Sequence, residues 1–205
     1  MKLIVGLGNP GFDYTNNRHN VGFACLSYFA KQHDITLNKK QGQARVGIAE
    51  IDDIPITLAR PQIFMNLSGE VVAYLVDRYQ IDTEDLIIIH DDLDLPFGRV
   101  RIRRDGGSGG HNGVESVMNS LESSDFIRLR IGIGRPPVES PYSRDEIIGY
   151  VLGDFTEEEK EVMIKIFAHV SKALECLITE GLVSAMNRYN GDIDDLSDRT
   201  VEMNR

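Results

Sequence analysis

Leu86-Ile87-Ile88-Ile89 is an unbroken apolar run that ends on His90-Asp91-Asp92. A strand with one wet face alternates apolar and polar residues, so a continuous run belongs to a strand covered on both faces. Such a strand needs a packing layer on each side, which points to a sheet between helices. Lys2–Gly6 is a second short apolar strand. Gln43–Ile51 and Pro55–Arg60 read as strands, and Asp52-Asp53 between them suggests an antiparallel hairpin. Gly98–Arg104 reads as a strand. In Phe126–Gly134, Ile127, Leu129, Ile131 and Ile133 fall on one face.

Helical patterns separate these strands. Asn20 suits the N-cap of a helix reaching about His33, with Val21, Cys25, Leu26 and Phe29 on one side. A second helix runs from about Asn66 to Tyr79, and a third from about His111 to Leu121. Thr156 and Glu159 form a capping box for a long helix to Glu180, which Gly181 ends before a short helix to Tyr189. Gly8–His19, Asp105–Gly110 and Pro136–Ser143 read as loops. The pattern implies an α/β fold, a single domain with a mixed β-sheet flanked by helices. The domain spans 1–190, and 191–205 is an acidic C-terminal tail.

The net charge of −10 argues at first against a nucleic-acid partner. Its distribution changes that reading. Acids at 154–161 and at 192–202 carry most of it, whereas Arg99, Arg101, Arg103 and Arg104 make a basic segment. Phosphate affinity follows the local field rather than the total charge. Arg99, Arg101 and Arg103 alternate with Val100 and Ile102, so they share one strand face. Cys25 and Cys176 lie far apart among apolar residues and read as buried, reduced thiols, which fits a reducing compartment. No stretch approaches the roughly 18 apolar residues of a membrane span, and the first apolar run is too short for a signal peptide. The expectation is a cytoplasmic protein without a membrane association.

Two motifs invite misreading. Gly6-Leu7-Gly8-Asn9-Pro10-Gly11 matches the dinucleotide fingerprint, but its helix starts only near Asn20, too late to meet a pyrophosphate. Gly106-Gly107-Ser108-Gly109-Gly110 matches a nucleophile elbow and has the right strand–turn–helix context, which leaves a serine esterase using Ser108 open. His111 is very near Ser108 in sequence for a triad partner, and His169 lies within the long helix. His90, Asp91, Asp92 and Asp94 lack a further histidine or cysteine at ligand spacing, so no metal is expected.

Ligands of open α/β sheets sit beyond the carboxyl ends of the strands. Asn9 and His19 follow the first strand, Asn66 follows Pro55–Arg60, and Asp91 follows Leu86–Ile89. Asn112 follows Gly98–Arg104, although the short Asp92–Phe97 connection can reverse that strand. A neutral histidine can deprotonate water, a carboxylate can fix its tautomer, and asparagine amides can donate to an oxyanion. The residues alone lead to an α/β hydrolytic enzyme.

Seven blocks extend this reading. They are Leu3–Gly11, Tyr14, Arg18–Gly22, Phe64–Gly69, His90–Pro96, Gly109–Gly113 and Arg128–Gly134. In this order they resemble the bacterial-type peptidyl-tRNA hydrolase family over about residues 1–190. The resemblance implies a phosphorylase/hydrolase-like fold and a monomeric enzyme without cofactor or metal that cleaves the ester between a peptide and tRNA. It implies His19 as the base, Asp91 as its partner and Asn9 as the group that orients water and substrate. Asn66 and Asn112 would be substrate-binding amides, and Tyr14, Phe64 and Met65 would line the cleft for the peptide and terminal nucleotide. Arg101 and Arg103 stand where the family often has lysine and, with Arg130, would bind the tRNA. Asn17 replaces a common threonine, and the tail is not covered. A non-catalytic tRNA-binding module would keep the arginines without needing His19.

Overall fold

A computed structural model of the chain describes residues 1–137 and 141–191. Its strands are β1 (Lys2–Gly6), β2 (Lys39–Gln41), β3 (Ala44–Ile51), β4 (Ile54–Pro61), β5 (Leu86–Asp92), β6 (Val100–Arg104) and β7 (Ile127–Gly132). Its helices are α1 (Val21–Gln32), α2 (Ser68–Tyr79), α3 (Asn112–Leu121), α4 (Arg144–Val151), α5 (Glu157–Thr179) and α6 (Leu182–Tyr189). The strands form one mixed sheet in the order β2-β3-β4-β1-β5-β7-β6. β4, β1, β5 and β7 are parallel, while β2, β3 and β6 pair antiparallel with their neighbours. The expected α/β class, mixed sheet and β3–β4 hairpin are all present. Asp52 and Asp53 turn that hairpin with positive φ, which short polar side chains tolerate.

The period-two pattern divides the sheet between two cores. Ile4, Ile87, Ile89, Leu129 and Ile131 face α1, α5 and α6, where they meet Leu26, Phe29, Val170 and Leu174. Leu3, Val5, Leu86 and Ile88 face α2 and α3, where they meet Val72, Leu75, Val114 and Val117. The central run is therefore buried on both sides. Truncating one of these large side chains to alanine costs about 2–5 kcal/mol.

Close approach of α1 to the sheet positions the site. A Cβ on Gly22 would sit 2.4 Å from the Ile89 carbonyl oxygen and 2.6 Å from that of Leu7. Only glycine permits this contact between the first turn of α1 and the ends of β1 and β5. The residues just before α1 are thereby held beside the residues that end β5.

Several boundaries differ from those the sequence pattern implies. Asn20 is the N-cap residue of α1, but its side chain makes no capping bond. It brackets Asn9 instead, accepting from the Asn9 N–H at 2.7 Å and donating to the Asn9 carbonyl at 2.9 Å. Residues Met65–Leu67 form a 3-10 turn, so α2 starts at Ser68. β2 gives no strand signal in the sequence, because Lys39-Lys40-Gln41 has no apolar alternation. α4 falls outside the expected helices because none of its residues is buried, although Ser143 and Glu146 form a capping box that marks its start. Gly191 exchanges two 3.2 Å backbone hydrogen bonds with Val100. The remainder of the acidic tail lies outside the described residues. Among the described residues, no helix is long and apolar enough to cross a membrane.

Candidate active site

β1 and β5 are parallel neighbours, so their carboxyl ends lie side by side. Beyond β1 the chain passes Asn9 and closes a 3-10 turn, Arg18–Asn20, that carries His19. Asp91 lies near the end of β5. The His19 Nδ1 is 2.9 Å from each carboxylate oxygen of Asp91, although 72 residues separate them in sequence. Both residues are buried.

A third residue joins them. His111 Nε2 is 2.9 Å from Asp91 Oδ1. From the sequence, His111 is no more than a neighbour of Ser108. In the fold it is the N-cap of α3, and its Nδ1 accepts from the backbone N–H groups of Gly113 and Val114 at 3.1 and 3.2 Å. Those donors require a lone pair on Nδ1, so the neutral ring carries its proton on Nε2 and donates it to Asp91. His111 gave one signal in the sequence, a polar residue directly before a helical pattern.

The protonation of the cluster follows. Burial alone would lower the His19 pKa, but the Asp91 charge and hydrogen bond outweigh it and raise the imidazole above 6.5. Burial would raise Asp91, but the two histidines hold its carboxyl well below 3.8. Asp91 is thus a carboxylate that accepts from both rings. Because His19 donates through Nδ1, its Nε2 keeps a lone pair, as a general base requires.

His19, Asp91 and His111 have the side-chain types of a metal site, with ligand atoms within 4.8 Å of one another. Their hydrogen bonding does not fit a cation. The proton on His111 Nε2 occupies the lone-pair position a metal would need, and the backbone donors hold it there.

The asparagine amide at position 9 also has an assigned orientation. Its Oδ1 accepts from the Met65 N–H at 2.8 Å, which leaves the two Nδ2 protons as the available donors. Met65 is buried, and its Sδ would lie 2.4 Å from a Cβ on Gly113. The turn carrying Asn66 therefore sits against the start of α3, which carries Asn112. Both asparagines are exposed. Tyr14 is half-buried and Phe64 exposed; neither hydrogen-bonds the histidine–aspartate cluster.

A cleft of about 420 Å³ opens over this cluster, lined on one side by His19, Asp91, His111 and Asn112 and on the other by Ile147, Ile148 and Val151 of α4. A second hollow of about 280 Å³ shares His90, Asp92, Ser108 and Gly109 with it and continues to Arg103, Arg128 and Arg130. β6 runs antiparallel to β7, with Arg101 opposite Arg130 and Arg103 opposite Arg128, so four arginines share a face. Arg101 and Arg103 are exposed and make no ion pair among the described residues. Arg130 bonds Asp92, and buried Arg128 donates to the carbonyls of Gly106 and Gly107. Arg128 thus holds the glycine loop, a role the sequence did not suggest.

Among the described residues, Ser108 Oγ makes no hydrogen bond to a histidine and accepts instead from the Gly110 N–H. Both His111 nitrogens are engaged, and His169 bonds the Tyr189 carbonyl on the α5–α6 side. Burial drives the His90 pKa down to about 3, so that ring is a poor proton acceptor. The dinucleotide reading fails as well, since Asn20 clamps Asn9 and α1 begins only at Val21.

Residues 3–197 match the family model described as peptidyl-tRNA hydrolase. This chain belongs to the peptidyl-tRNA hydrolase family. A peptidyl-tRNA hydrolase from Dehalococcoides mccartyi strain 195 is 50% identical over 190 residues, covering 93% of this chain and all of that protein. One from Herpetosiphon aurantiacus is 44% identical over 193 residues, covering 94% and 91%. The crystal structure of the Acinetobacter baumannii peptidyl-tRNA hydrolase superposes with a TM-score of 0.86 at 36% identity, covering 94% of this chain and 95% of that one. The mixed sheet and flanking helices are therefore the family architecture.

Proposed function

We propose that this chain hydrolyses the ester of peptidyl-tRNA, releasing peptide and free tRNA, with His19 as general base. The observation that carries this reading is the His19–Asp91 pair, whose hydrogen bond leaves the His19 Nε2 lone pair for a water in the cleft. Nε2 takes a proton from that water as its oxygen adds to the ester carbonyl. Asp91 stabilises the imidazolium so formed. The proton then passes to the departing ribose oxygen, and the acyl group leaves as a carboxylic acid. General base catalysis supplies about 10²–10⁴-fold. The Asn9 Nδ2 donors suit the developing oxyanion, worth on the order of 10²–10³-fold.

The neighbouring residues fit substrate roles. Asn66 and Asn112 offer amides to the substrate backbone. We assign Tyr14, Phe64 and Met65 to the binding of the peptide and terminal nucleotide. Arg101, Arg103 and Arg130 form a phosphate-binding face for the tRNA stem, which needs no base reading. We assign no cofactor. Residues 1–190 act as one domain, in a cytoplasmic monomer whose buried thiols suit a reducing compartment.

The test is hydrolysis of N-acylated aminoacyl-tRNA by wild type, His19→Ala and Ser108→Ala. The expected result is a fall in kcat of at least about 10²-fold for His19→Ala and near wild-type turnover for Ser108→Ala. Near wild-type turnover by folded His19→Ala refutes the mechanism. Loss with Ser108→Ala alone restores the serine esterase. Binding without hydrolysis by wild type leaves a tRNA-binding module.

A further inference from the structure

α4 forms one wall of the catalytic cleft through Ile147, Ile148 and Val151, yet none of its residues is buried. A short helix with no buried face has little packing energy to fix its place. Its attachments are therefore decisive, and they concentrate at its C-terminal end. Tyr150 Oη donates to the Ile133 carbonyl at 2.6 Å. Among the described residues, the other bonds at this end come from the two residues preceding His19. The Arg18 backbone N–H donates to the Gly153 carbonyl at 3.0 Å. Asn17 Nδ2 donates to the Leu152 carbonyl and to Asp154 Oδ1.

The Arg18 side chain completes the junction. It is 7% exposed. Nη1 donates to the Asp154 carbonyl at 2.8 Å and lies 3.5 Å from that of Tyr150. Nη2 donates to Glu159 Oε2 at 2.6 Å. The guanidinium carbon sits 4.4 Å from the Tyr150 ring centroid and 5.4 Å from that of Phe155. Glu159 is itself fixed, because Oε2 also accepts from the Thr156 N–H in the capping box of α5. One planar cation thus ties together the turn that carries His19, the last turn of α4 and the first turn of α5.

We propose that Arg18 is a positioning residue for the hydrolytic reaction, setting the α4 wall at its working distance from His19 and thereby setting how tightly the acyl part of the substrate is held. This rests on the reading that the cleft receives that acyl part. Beside Arg144 the wall presents three aliphatic side chains to the cleft, Ile147, Ile148 and Val151, so its grip depends on the acyl side chain. Contacts of this kind act equally in ground and transition states, so their loss raises KM more than it lowers kcat. Lysine keeps the charge toward Glu159 but cannot reproduce the forked bonds to two carbonyls or the planar stack.

The experiment measures kcat, KM and Tm for the full chain and for Arg18→Lys, Glu159→Gln and their combination. The substrates are two N-acetylated aminoacyl-tRNAs, one with a large apolar side chain and one with glycine. Arg18→Lys should raise KM about tenfold for the large side chain and less for glycine, with kcat within about threefold, a change that is readily resolved. Glu159→Gln, which lies outside the turn carrying His19, should shift KM the same way by less. The combined variant should be no worse than Arg18→Lys, because both act on one junction. Equal losses of kcat for both substrates at unchanged KM would overturn the proposal, as would unchanged kinetics in both single variants. If Arg18→Lys does not fold, the Glu159→Gln comparison decides alone. Failure of wild type on both substrates would instead refute the proposed function.

Discussion

Replacing Asp91 by asparagine tests the hydrogen-bonded cluster at its centre. Two N–H groups converge on the carboxylate. His111 Nε2 donates to Oδ1, and His19 Nδ1 lies 2.9 Å from both oxygens. Asparagine retains one oxygen. The His111 proton cannot move, because backbone donors occupy its other nitrogen, so the amide oxygen must stay at Oδ1. The amide NH2 then faces His19 Nδ1 at 2.9 Å, donor against donor. The imidazole relieves this by shifting its proton to Nε2, which removes the base. The loss should equal the general-base contribution, about 10²-fold at least and up to about 10⁴-fold in kcat, or about 2.7–5.4 kcal/mol of barrier. The sign of the pH effect also follows. Wild-type His19 titrates above 6.5, so activity should fall below that raised value. Without Asp91 only burial remains, which lowers the pKa, so the acid limb of the residual activity should move to lower pH. Stability responds in the opposite sense. In wild type the His19–Asp91 attraction stabilises fully below the unfolded pKa of about 6.5 and fades as pH rises through the raised folded value, and Asp91→Asn should abolish that trend. Pre-steady-state hydrolysis across about pH 5–9, with Tm at each pH, measures all of this. A folded variant within about threefold of wild type, with an unmoved acid limb, would refute the tautomer argument.

His111→Ala should lower Tm, because it removes an N-cap worth about 1 kcal/mol, and should lower kcat by freeing Asp91 to rotate; unchanged kcat would confine His111 to folding α3. Replacing Arg101 and Arg103 together by alanine should raise KM for full-length substrate and flatten the dependence of log affinity on log salt by about 0.7–0.9 for each phosphate no longer neutralised. A substrate with only the terminal nucleotide and peptide should be indifferent to that change, and equal effects on both substrates would exclude a tRNA-binding role.

The sequence by itself determined those features that follow from local chemistry. The run from Leu86 to Ile89 required a strand covered on both faces, and alternation in β6 required Arg101 and Arg103 to share a face. Thr156 and Glu159 marked the start of α5 because a capping box is satisfied within four residues. The glycine-rich segments and the polar residues at strand ends likewise put Asn9, His19 and Asp91 forward as candidates. Tertiary structure decided what depends on groups distant along the chain. Parallel pairing of β1 with β5 and the bare backbone of Gly22 bring His19 to Asp91. The reversal of β6 set its arginines across from Arg128 and Arg130. The tautomer of His111 is fixed by the backbone N–H groups of Gly113 and Val114, a contact that no residue type announces. α4 was illegible for a related reason: it buries no stripe of its own, and Arg18, more than a hundred residues earlier, holds its end in place.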